Sequence, residues 1–164
     1  MLKESQNRIK SMALIHENLY KSENLASIDP KGYIKSLVDD LIKSYGVTHI
    51  VSKIEAGDIS LGIDIAIPCG LIINELVSNA LKHAFPDRRG EITVSLRSNN
   101  ENIELIVRDN GVGIPEDVDF RKTETLGLSL VSILAEGQLD GTVTVTREGG
   151  TAFYITFPFR DRKG

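Results

Sequence analysis

Two runs of residues carry groups that could do chemistry together: Asn74-Glu75-Leu76-Val77-Ser78-Asn79-Ala80-Leu81-Lys82-His83 and, further on, Asp109-Asn110-Gly111-Val112-Gly113. At about 100° per residue, Glu75, Asn79 and Lys82 share one helical stripe, while Leu71, Ile72, Leu76, Ala80 and Leu81 can face a core. A carboxylate, an amide and an ammonium then point the same way. They suit a hydrated magnesium triphosphate, because Mg²⁺ takes oxygen ligands while keeping several waters and lysine acts as a point charge toward phosphate oxygens. A merely solvated polar face would give the same stripe.

The second run decides between those readings. It follows Ile103-Glu104-Leu105-Ile106-Val107-Arg108, whose alternation reads as a strand, so Asp109 stands at a strand end entering a loop. An ionised carboxylate accepts hydrogen bonds and donates none, so it can take the exocyclic amino proton of adenine and refuse the oxygen of guanine. Two glycines one residue apart admit close ligand approach. Asp-Asn-Gly alone is also a good turn. Both motifs together point to a nucleotide site.

The elements that must position these groups can be read from the same pattern. Residues 3 to 22 carry Ile9, Met12, Ala13, Ile15, Leu19 and Tyr20 near helical spacing, and Asp29-Pro30 reads as the cap and first turn of a helix through Tyr45, which Gly46 stops. Val47 to Ile54 reads as a strand, and Ile59 to Ala66 as one or two short extended pieces. Pro68 is expected to open the motif helix and Pro86 to close it. Strands follow at Glu91 to Arg97 and Asn102 to Asp109, joined by a turn at Ser98-Asn99-Asn100-Glu101. A helix is expected over Leu126 to Gly137, then a hairpin of Gly141 to Arg147 and Thr151 to Phe159. The expected class is α+β: a two-layer α/β sandwich with a mixed sheet and helices on one face, preceded by one or two N-terminal helices. The division is expected near residues 45 to 47, with a helical segment over 1–45 and a sheet domain over 46–164.

With 164 residues, 41% hydrophobic and 26% charged, the chain has room for one core and an appendage. No apolar run is expected to reach the roughly 18 residues of a membrane span, and no signal peptide is seen, so a cytoplasmic location without direct membrane contact is expected. A net charge of −4 argues against nucleic acid as the main partner. Cys69, the single cysteine, lies beside Pro68 and Gly70 and is expected to pack rather than react.

The order of the helix motif, the Asp109 loop, Leu126-Gly127-Leu128-Ser129-Leu130-Val131 and Gly149-Gly150-Thr151-Ala152-Phe153 resembles the nucleotide-binding domain of sensor histidine kinases, in the ATP-binding superfamily they share with gyrase, Hsp90 and MutL. Arg8-Ile9-Lys10-Ser11-Met12-Ala13-Leu14-Ile15-His16-Glu17-Asn18-Leu19-Tyr20 is similar to the second dimerisation helix of a kinase subgroup of the HisKA_2 type. The resemblance implies a Bergerat-type ATP-binding fold, with ATP and Mg²⁺ as cofactors. It also implies Asn79 as the magnesium ligand, Asp109 as the adenine acceptor, Thr151 as its support, Gly111 and Gly113 as the first glycine box, and Lys82 and His83 near the phosphates.

Residues 114–126 correspond to the ATP lid, with Arg121 and Lys122 able to close over the triphosphate and Gly127 and Leu128 opening the next helix. Glu75 corresponds to the glutamate that activates water in the ATP-hydrolysing relatives; here it is expected to order water around the metal or assist the acceptor. Many kinases carry Gly-x-Gly-Leu-Gly where this chain has only Gly127. In the subgroup the phosphoacceptor precedes an Arg-Val-Lys-Asn-like stretch absent here, so the acceptor is not carried onto His16 and is expected outside this chain. A homodimer through the N-terminal helices and a response regulator receiver domain are the expected partners. An ATPase, a serine kinase of the anti-sigma type and a non-catalytic interaction domain are the alternatives.

Overall fold

The computed structural model describes residues 2–20, 27–99, 101–113 and 126–159. Helix α1 spans Leu2–Tyr20 and α2 Pro30–Ser44. Strand β1 (His49–Ala56) leads into the long helix α3 (Ile63–His83), and then β2 (Arg89–Asn99) and β3 (Asn102–Asp109) form a hairpin. Helix α4 (Leu126–Ser132) runs on into a π-helical turn, Ile133–Gln138, before β4 (Thr142–Thr146) and β5 (Thr151–Pro158).

The five strands lie in the order β1-β2-β3-β5-β4, with β1 parallel to β2 and the other pairs antiparallel. This mixed sheet with helices on one face is the expected α+β fold. Period-two alternation turns Ile92, Val94 and Leu96, Ile103, Leu105 and Val107, and Phe153, Ile155 and Phe157 toward the helices, all 5% exposed or less. The opposite face is polar; there Arg108 Nη2 donates to Tyr154 Oη at 3.0 Å.

Helix α3 is the spine on which the helical layer is built. It touches α1, α2, α4, β2 and β3, and twelve of its residues are buried. By length and composition alone it is long and apolar enough to cross a membrane, against the expectation that no apolar run reaches that length. Its apolar surface instead forms the protein core. The sequence also places its start wrongly: Pro68 lies inside the helix, which begins at Ile63 behind Gly62. Proline lacks the N–H that would pair with the carbonyl of Asp64. Asp64 is exposed, so water can meet that carbonyl.

Helix α2 follows expectation. The Asp29 side chain accepts Lys31 N–H at 3.3 Å as the N-cap, Pro30 occupies the first turn, and Gly46 takes φ 66° just beyond the end. Tyr33 from α2 donates to Ala66 O of α3 at 3.0 Å, and its hydroxyl occupies the space that a side chain at Gly70 would need. Leu37 and Val38 are fully buried in the same core as the sheet. The boundary expected near residues 45 to 47 thus falls at a turn within one packed body. Helix α1 joins that body through Ile15 and Leu19, each 2% exposed, and through Asn18, which accepts the Ser36 hydroxyl of α2. Ile9, Met12 and Tyr20 are exposed to solvent.

Smaller differences concern element ends. β1 starts two residues later than Val47, the 59–66 segment supplies only the Ile28–Leu61 bridge before α3, and the last helical turn widens into a π-helix at Ile133.

Helix propensity by itself makes Gly70→Ala a gain of about 1 kcal/mol. Collision with the Tyr33 hydroxyl should reverse the sign, to a loss of about 1–3 kcal/mol in urea denaturation, and Tyr33→Phe should relieve part of it. A stabilised Gly70→Ala protein would contradict the α2–α3 packing described here.

Candidate functional site

The site residues come from the end of α3, the end of β3 and the start of β5. Along α3, Glu75 is 8% exposed, Asn79 is half-buried, and Lys82 and His83 are exposed in the last turn. The stripe expected from spacing is therefore graded, from a buried carboxylate to a solvated ammonium. It lies on the helix that carries the core, which holds it rigidly.

Alternation along β3 and β5 continues the apolar rows into polar groups. Asp109 follows Ile103, Leu105 and Val107 on the helix-facing side; Thr151 precedes Phe153, and the two are paired in register. They are 8% and 5% exposed. Asp109 Oδ1 accepts the N–H of Gly111 at 2.9 Å and of Thr151 at 3.4 Å. Both of these donors meet Oδ1 rather than Oδ2. Burial raises the carboxyl above the ordinary aspartate value, and the two N–H bonds offset this only in part.

The glycines explain how the backbone comes so close. Gly113 takes φ 80°, and Gly150 takes φ 126° where a side chain would collide with the carbonyl of Asp109. The two glycine segments touch: a side chain at Gly113 would stand 3.2 Å from Gly150 O and 3.8 Å from Thr151 Oγ1.

Leu128 is 8% exposed in α4, packed in the core, and Gly127 lies in the first turn of α4. Arg121 and Lys122 lie outside the described residues. Among the described residues no three His, Cys, Asp or Glu gather as a metal cluster. The Asn79 amide and the Glu75 carboxylate one turn before it are hard oxygen donors; so small a set fits Mg²⁺, which keeps its waters, better than zinc or calcium.

His16 is exposed, its ring centroid 6.5 Å from that of Tyr20, and His49 is exposed at the start of β1. Cys69 is 1% exposed, and burial pushes its thiol up to about 12, as suits a packing role. Two participants were not picked out from sequence. Asn110 uses its side chain to accept Glu91 N–H at 2.7 Å, and Ala84 O accepts Val112 N–H at 2.9 Å. Asn110 was legible only as part of a turn, and a backbone carbonyl leaves no sequence signal.

Residues 65–161 match the family described as histidine kinase-, DNA gyrase B-, and HSP90-like ATPase, and residues 1–45 match a histidine kinase family of the HisKA_2 type. The chain is 29% identical over 167 residues to the sensor histidine kinase PdtaS of Mycobacterium tuberculosis, covering 94% of this chain and 32% of that protein. It is 30% identical over 164 residues to the blue-light-activated histidine kinase 2 of Erythrobacter litoralis, covering 95% and 47%. It thus spans about a third to a half of these relatives. Among solved structures, the EL346 blue-light activated histidine kinase of Erythrobacter litoralis superposes with a TM-score of 0.82 at 25% identity, covering 98% of this chain and 56% of that one. The histidine kinase domain of EL346 gives 0.79 at 27% identity, covering 94% and 74%.

A raised carboxyl value in the fold favours the protonated form. Its contribution to stability is therefore fully present below the ordinary aspartate range and lost as pH rises through the raised value. Asp109→Asn should melt at or above the wild-type temperature at pH 7, with the gap closing as pH falls through that window. Melting curves across pH check this; a variant less stable at pH 7 than at acid pH, relative to wild type, would refute it.

Proposed function

The chain belongs to the histidine kinase-, DNA gyrase B- and HSP90-like ATPase family, and on that premise we propose that it is the ATP-binding kinase module of a two-component sensor histidine kinase. It would pass the γ-phosphoryl group of ATP to a histidine outside this chain, for relay to the receiver domain of a response regulator. The observation that carries this reading is the buried Asp109 carboxylate, held by two backbone N–H groups and able to accept from an adenine amino group.

Each residue then has a role that its chemistry suits. Asp109 selects adenine, with Thr151 beside it. Gly111 and Gly113 let the base approach the backbone. Asn79 holds Mg²⁺, Glu75 orders water in its shell or assists the acceptor, and Lys82 and His83 meet the phosphates. Arg121 and Lys122 would close over the triphosphate from the lid segment, ahead of Gly127 and Leu128. When bound, Mg²⁺ neutralises phosphate charge; phosphoryl transfer otherwise asks mainly for alignment and charge stabilisation, which these side chains can supply.

The N-terminal part would serve dimerisation, through α1, where Ile9, Met12 and Tyr20 are exposed. Since α2 shares the core of the sheet, α1 is the segment that would engage a second copy. A cytoplasmic place, as the inner part of a larger sensor, accompanies this role. One observation favours a second reading as ATPase: Glu75 is a buried carboxylate one turn before the proposed metal ligand, where it could activate water. The histidine kinase match over residues 1–45 weighs against it.

Calorimetric titration should show saturable binding of Mg-ATP and a weaker but measurable binding of Mg-GTP. A hydrogen bond to a charged group contributes about 1.5–3 kcal/mol, so Asp109→Asn should weaken ATP about ten- to a hundredfold. Folded wild-type protein that binds neither nucleotide would end the reading. Glu75→Ala should keep ATP affinity while altering turnover, whether read as phosphotransfer to a supplied acceptor helix or as phosphate release; an affinity loss as large as that of Asp109→Asn would remove Glu75 from this role.

A further inference from the structure

The loop that carries Asp109 is tied to its neighbours by a side chain with no assigned part in the chemistry. Asn110 Oδ1 accepts Glu91 N–H at 2.7 Å, and Asn110 N–H returns a bond to Glu91 O at 3.2 Å, so this one residue makes a two-way clasp on the start of β2. Two residues on, Val112 N–H donates to Ala84 O at 2.9 Å, fastening the far side of the same loop to the residue that follows His83.

The glycines around this clasp leave room for nothing else. A side chain at Gly90 would run into the Phe85 ring and come within 2.8 Å of Asn110 Oδ1, and one at Gly111 would collide with Ala84 O. Phe85, Arg89, Asn110 and Val112 are among the residues that line an open cavity of about 590 Å³ beside the clasp. Arg88, in the connecting turn, is held at φ 61°, a conformation that side chains rarely adopt and that a tightly fixed loop maintains.

We infer that Asn110 is a positioning residue for nucleotide selectivity: by clasping Glu91 it sets the distance between the Asp109 carboxylate and the phosphate-facing end of α3. The inference rests on the nucleotide reading above. An ATP molecule spans both ends of that distance, with adenine at Asp109 and phosphates near Lys82 and His83. Moving the Asp109 loop by a fraction of an ångström lengthens the hydrogen bond to the adenine amino group, whose strength falls steeply with geometry. GTP presents an oxygen at that position and has no such bond to lose. Releasing the clasp should thus weaken ATP selectively.

The test uses three proteins: wild type, Asn110→Ala, which removes the acceptor for Glu91 N–H, and Asn110→Asp, which keeps one. Folding is checked by circular dichroism, ATP and GTP affinities are measured by calorimetry at pH 8, and hydrogen exchange is followed at the Glu91 amide. Asn110→Ala should expose that amide to faster exchange and weaken ATP about fivefold, the size of one modest hydrogen bond, while GTP stays unchanged. Asn110→Asp should recover slow exchange and most of the ATP affinity. A role in folding alone would lower the melting temperature and leave the ATP-to-GTP ratio untouched, and that result overturns the inference. Equal weakening of both nucleotides, or no recovery in Asn110→Asp, overturns it as well. Wild-type protein that ignores ATP overturns this inference together with the nucleotide reading, whereas selective wild type with equally selective Asn110→Ala overturns this inference alone.

Discussion

A carboxylate taken out of water must be met by donors or lose its charge, and among the described residues Asp109 is met by two backbone N–H groups. The N–H groups of Gly111 and Thr151 converge on one of its oxygens, which requires β5 to start beside the end of β3 and the following loop to fold back at once. Everything around the site follows from that convergence. Gly150 must lack a side chain because Asp109 O occupies its place, and Gly111 because Ala84 O does. Burial still wins over these bonds, so the carboxyl stays raised above its ordinary value.

Helix α3 transmits this local requirement to the rest of the fold. Its buried sides pack on the sheet, on α2 and on α4, and the Glu75, Asn79 and Lys82 stripe runs from the buried part of the helix to its exposed end, beyond which Ala84 meets the Asp109 loop. The interior proline is tolerated because the carbonyl it leaves unpaired belongs to an exposed residue. The close seating of Tyr33 over Gly70 fixes α2 against α3. Apolar burial here determines the placement of polar chemistry, since the stripe can rotate only if the whole core rotates with it.

Much of this was legible in the residues themselves. The alternation of Ile103, Leu105 and Val107 with polar neighbours identified β3 and put Asp109 at its end, and Asp29-Pro30 with Gly46 marked both ends of α2. The start of α3 is misplaced from sequence because proline is a strong local start signal, while the Ile63-Asp64-Ile65-Ala66-Ile67 alternation is short enough to suit strand or helix. Only packing against α2 and the sheet resolves that ambiguity. The apolar pattern of α1 is only partly used: Ile15 and Leu19 are buried, whereas Ile9, Met12 and Tyr20 remain in solvent, and periodicity cannot say how far along a stripe the core extends.

The amino-acid sequence by itself determined the α+β class, the order of elements, and the two motifs with their helical and strand spacing, because these rest on local periodicity and on residue chemistry that needs no partner. Tertiary structure alone decided how the motifs meet. That Asp109 faces Thr151, that α2 belongs to the core of the sheet, and that Asn110 clasps Glu91 are contacts between segments far apart in the chain. They depend on strand register, on the room left by missing side chains and on backbone carbonyls and amides, which every residue carries and which no residue type announces.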